Sequence, residues 1–80
     1  MPIYCDPENP KRRWQVKDAN DLAEQMRLQD WRRPQAKDVA EFLDRSAESL
    51  RELGFTIRSD TAEHWLEDLI KNGRLEKLSD

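Results

Sequence analysis

Apolar residues recur at helical spacing over three stretches, and the last is the clearest. Ala62, Trp65, Leu66, Leu69 and Ile70 follow one another at offsets of three, four, seven and eight, one stripe of an α-helix. Asp60 stands where an N-cap belongs, with Glu63 three residues on to close a capping box. Asn72-Gly73 supplies the left-handed stop and Lys71 the basic last turn, so the pattern predicts a helix at about 60–72. An earlier stripe of Ala19, Leu22, Ala23 and Met26 predicts a helix from Ala19 to Gln29 capped by Asp18. Trp31-Arg32-Arg33-Pro34 breaks it, and Pro34 suits the first turn of the next helix. From Gln35 to Leu53, Val39, Leu43, Ala47 and Leu50 keep the spacing, widened by Ala36, Ala40, Phe42 and Leu53, with Gly54 as terminator. That stretch is either one helix of about 28 Å or two, broken near Asp44-Arg45-Ser46, where Ser46 is a good N-cap.

Outside the helices the pattern is thinner. Pro2, Pro7 and Pro10 block helix over Met1 to Pro10, which reads as an extended arm pinned to the body by Ile3 and Tyr4. Lys11 to Val16 alternates like a short edge strand, Phe55 to Arg58 is an apolar connector, and Arg74 to Leu78 alternates like a short terminal strand. The expected architecture is mainly α: an extended arm over residues 1–17, then a single domain of three or four helices over 18–80, with room for a minor two-stranded β element.

Leu53-Gly54-Phe55, then Thr61-Ala62, Trp65-Leu66, Leu69, Gly73 and Leu75, resembles the second half of a winged-helix or helix-turn-helix domain, and Asp38 to Leu53 resembles its first helical unit. The resemblance, over residues 38–75, implies that the last helix is a recognition helix leading through Gly73 into a wing. It implies DNA binding as a transcriptional regulator.

Composition and charge shift the weight elsewhere. Eighty residues make one small domain, and 39% charged residues against 36% hydrophobic leave only a small core. No apolar run approaches the roughly 18 residues of a membrane span, no signal-peptide pattern opens the chain, and the lone Cys5 has no disulfide partner. A soluble, cytoplasmic protein without a membrane role is expected. The net charge of −3 is uneven: residues 1–35 hold seven basic and six acidic side chains, residues 36–80 seven and eleven. On the supposed recognition helix the outward face is Glu63, His64, Glu67, Asp68 and Lys71, whose carboxylates repel phosphate.

Candidate chemistry is sparse. His64 has Asp60 and Asp68 one turn to either side, a general-base arrangement with no nucleophile near it in sequence. No cysteine–histidine cluster holds a metal and no glycine-rich loop cradles a phosphate, so neither enzyme activity nor a cofactor is expected. Two clusters remain: Lys11-Arg12-Arg13-Trp14 and Trp31-Arg32-Arg33-Pro34, basic pairs beside a tryptophan flanking the first helix. Arginine with tryptophan makes interface hot spots and also base-stacking surfaces; the alternative is that both indoles are core with arginines lying over them. Arg12, Arg13, Trp14, Trp31, Arg32 and Arg33 are therefore the candidate partner-binding set, and Glu63, His64, Glu67 and Asp68 a secondary acidic face. The expected function is a non-catalytic module that docks on a protein, as an accessory subunit or inhibitor of a larger assembly. A DNA-binding regulator, acting as a dimer, and an acidic inhibitor that imitates nucleic acid are the alternatives.

Overall fold

A computed structural model describes all 80 residues, and it places the supposed arm inside the fold. Strand β1 (Ile3–Asp6) and strand β2 (Asn9–Gln15) form a hairpin; helices α1 (Ala19–Gln29), α2 (Val39–Glu52) and α3 (Ala62–Lys71) follow, and strand β3 (Glu76–Ser79) ends the chain. The antiparallel sheet has the order β2-β1-β3, so the first strand is its centre. The protein is thus a small α+β domain, 44% helical and 19% strand, and the expectation of a mainly helical domain with an N-terminal arm is overturned. The winged-helix expectation goes with it. The strand after α3 pairs with β1 from the opposite end of the chain, not with the second strand of a wing.

The prolines that suggested an arm each sit where a strand tolerates them. Pro7 occupies the turn between β1 and β2, where its fixed φ is useful and Asp6 Oδ1 accepts the Glu8 N–H at 2.9 Å. Pro10 lies on the edge strand β2, where a missing donor is tolerated. Pro2, just before β1, accepts a hydrogen bond from the Val16 N–H at 3.1 Å. Tyr4 pairs with Trp14 on one side and Lys77 on the other, and its side chain joins the core with Trp14. Cys5, also buried, points to the opposite face.

The helices pack on the face that carries Tyr4 and Trp14, and one cluster of buried residues joins sheet and helices through Leu22, Phe42, Leu43, Trp65 and Leu69. Residues 39–52 form one helix, because the Ser46 hydroxyl accepts the Trp65 Nε1–H at 3.1 Å instead of capping a second one. Pro34 is not in its first turn. The helix starts at Val39, behind the N-cap Asp38, whose carboxylate takes the Glu41 N–H. Both helix ends predicted at glycine hold: Gly54 and Gly73 have φ of 96° and 70°, and the Phe55 and Arg74 N–H groups reach back to the Leu50 and Leu69 carbonyls. No helix is long and apolar enough to cross a membrane.

The start of α3 departs from the capping box. Thr61 is the N-cap, its hydroxyl accepting the His64 N–H at 3.1 Å, while Asp60 turns its carboxylate to His64 Nδ1 at 2.9 Å. Thr61→Ala is expected to cost about 1 kcal/mol and Asp60→Ala less, since its bond to His64 lies in solvent. Urea denaturation of the two variants orders them.

Candidate functional site

The two tryptophan–arginine clusters, 17 residues apart from Trp14 to Trp31, come together at one end of α1, and there their fates divide. Trp14 is core, 4% exposed, with its Nε1–H donated to Gln29 Oε1 at 3.1 Å. Arg12 lies over its ring, guanidinium to centroid 5.3 Å. Trp31, one residue beyond the end of α1 and its C-cap Asp30, is 84% exposed. A large indole left in water beside a run of arginines is the least expected feature of the surface.

Trp31 stands on the wall of a cleft of about 370 Å³ that Arg12, Trp14 and Arg32 also line. Its lining is half apolar: Met26 and Leu50 are partly exposed there, Phe42 and Leu69 only at their edges, and Trp65 is buried behind them, while Gln29, Ser46 and Ser49 add polar groups. Four of the six candidate residues therefore share one site. Arg13 and Arg33 do not line it: Arg13 Nε is bound to the Pro10 carbonyl at 2.9 Å, and Arg33 Nη1 to the carbonyls of Asp30 and Arg32.

The arginines of the cleft differ in what they have left to offer. Arg32 is committed: its guanidinium forks onto Asp30 at 2.9–3.1 Å, and Nη1 donates to the Ser49 hydroxyl. That fork holds the Asp30 carboxyl below the usual carboxylate range. Arg74, a lining residue that the sequence signals only as part of a terminal strand, lies over Phe55 at 5.2 Å and reaches Glu8 at 3.3 Å. Arg12 has no carboxylate within ion-pair distance. Asp6, also on the wall, is turned to the Glu8 N–H.

The secondary acidic face breaks up in a different way. Glu63 and Glu67 are exposed and His64 is half-exposed, but Asp68 is buried. The buried arc of α3 runs Ala62, Trp65, Asp68, Leu69, rotated away from Ile70, which is 39% exposed. Asp68 accepts the Arg58 backbone N–H at 2.8 Å and its guanidinium at 2.9 and 3.0 Å, tying the α2–α3 connector to α3. These bonds, the side-chain ones foremost, lower its pKa from 3.8 to about 2. A folded-state pKa below the unfolded one stabilises the fold fully above 3.8 and ceases to as pH falls through about 2. Asp68→Asn is expected to melt earlier at neutral pH and to flatten the acid limb between those two values, which thermal melting across pH measures. His64 lines neither of the two clefts on the surface, and no group of three or more histidine, cysteine, aspartate or glutamate side chains is placed to hold a metal.

No family model, no curated protein and no solved structure matches the chain.

Proposed function

We propose that the protein is a non-catalytic docking module, an accessory subunit or inhibitor of a larger assembly, that engages a protein partner at the Trp31 cleft. The observation that carries this reading is the 84% exposure of Trp31 on the wall of a half-apolar cleft that Arg12 also lines. Covering an exposed indole releases its hydration water, and tryptophan with arginine in a concave site is the composition in which truncation costs most binding energy. The exposed parts of Met26 and Leu50 suit an apolar side chain. The acidic helical body, with Glu63 and Glu67 still in solvent on α3, is unfavourable to a polyanion. A reducing, cytoplasmic setting goes with the reading, since Cys5 is a lone thiol.

The test is affinity capture from the source cells, with and without nuclease, comparing the parent with Trp31→Ala. Trp31 belongs to no core contact, so this variant should keep the parent's melting curve. Reversing Arg12, Arg13, Arg32 and Arg33 together is a poorer probe, because Arg32 fastens Asp30 and Ser49. A nuclease-resistant protein captured by the parent and lost with Trp31→Ala supports the reading. Capture that nuclease abolishes would assign the surface to nucleic acid.

A further inference from the structure

We infer that the segment this cleft takes is an acidic peptide carrying one large apolar anchor, with the anchor in the cleft and a carboxylate on Arg12. The inference rests on the docking reading above and adds to it the chemistry of the partner. Size comes first. A cleft of about 370 Å³ lies at the small end of the range for ligand sites, enough for a single bulky side chain with its neighbouring backbone. Met26 and Leu50 offer that side chain hydrocarbon, and Phe42 and Leu69 their edges.

Charge decides what flanks the anchor. Three guanidiniums, Arg12, Arg32 and Arg74, and two carboxylates, Asp6 and Asp30, line the cleft. Asp30 is spent on Arg32, and Asp6 on the turn of the hairpin. Arg74 has Glu8. Arg12 alone has no carboxylate, and it is held in place by its stack on Trp14, so little side-chain freedom is lost when it accepts one. The lining itself carries three guanidiniums against two carboxylates, and Arg33, bound to the carbonyls of Asp30 and Arg32 beside the wall, adds a further positive charge there. An acidic segment is steered toward such a site, and a basic one is turned away.

The test uses a displayed library of random peptides, panned on the immobilised full chain. The expected winners carry Asp or Glu next to Trp, Phe or Leu. The consensus peptide should weaken about tenfold or more on Arg12→Glu and on Trp31→Ala, and it should bind less tightly as salt rises. Circular dichroism and melting of both variants show that the fold is kept. Winners that are neutral or basic, or that bind Arg12→Glu as tightly as the parent, overturn the acidic-anchor inference while leaving the docking site standing. Failure to enrich any peptide that distinguishes the parent from Trp31→Ala overturns both. So does tighter binding of oligothymidylate than of any winner, which would assign the cleft to single-stranded nucleic acid. Self-association of the free chain that Trp31→Ala removes, seen by sedimentation, would give the cleft to a second copy and overturn the inference as well.

Discussion

Trp65→Ala is expected to lose about 3–5 kcal/mol of stability, the largest effect of any single side-chain truncation in the chain. Trp65 is fully buried, meets the Phe42 ring edge-on at 6.1 Å, and donates its indole N–H to Ser46 on α2. A domain of 80 residues has roughly 4–12 kcal/mol of stability in total. The variant should therefore lose at least about a quarter of that stability and unfold at a clearly lower urea concentration than the parent. Ser46→Ala separates the two parts of the effect: it keeps the indole but leaves its N–H unpaired in the core, at a cost of about 1–3 kcal/mol. Urea denaturation of both variants gives the comparison. A Trp65→Ala protein as stable as the parent would mean that the core is centred elsewhere.

Deleting residues 1–6 is expected to abolish cooperative folding. The deletion removes β1, the only strand to which both β2 and β3 are bonded, and with it Tyr4 from the core. It also leaves the Val16 N–H, buried at the start of the helical layer, without the Pro2 carbonyl. An extended arm pinned by two side chains would come away at little cost. The point variant Tyr4→Ala should cost about 3 kcal/mol or more. Amide dispersion and a urea transition in the truncated chain would contradict the central placing of β1; a collapsed or unfolded chain is the expected result.

The helices were legible because each carries its own evidence locally. α1 has Asp18 at its start and a stripe of four apolar residues, and its bounds Ala19–Gln29 follow from those alone. Gly54 and Gly73 mark the ends of α2 and α3 for the same reason. β1 carries no such mark. It is four residues long, Tyr4 and Cys5 are both buried so nothing alternates, and one of its partners, β3, lies more than 60 residues away in the sequence. Three prolines within ten residues looked like an arm because a turn, an edge strand and a strand entry each tolerate proline for separate reasons.

The candidate site was legible as composition but not as geometry. Trp14 and Trp31 both stand beside arginine pairs, and nothing adjacent to them in sequence says which is core. Gln29 decides it by accepting the Trp14 indole, and the end of α1 at Gln29 carries Trp31 out past the helix. Arg74 joined the cleft through the return of the chain after α3, a long-range contact that spacing cannot announce. Asp68 looked like a solvated carboxylate because a stripe drawn through Ala62, Leu66 and Ile70 is rotated from the buried arc. Its partner Arg58 supplies the reason that a charge is found there.

Fluorine NMR of the chain labelled with fluorotryptophan separates the three indoles, and exchange of water for deuterium oxide reports how far each is in solvent. The docking site requires one resonance, absent from Trp31→Phe, with an isotope shift near that of the free amino acid. The other two should shift little, since Trp14 is 4% exposed and Trp65 not at all. A Trp31 resonance as shielded as those of Trp14 and Trp65 would put that indole in the core and contradict the cleft as a docking site.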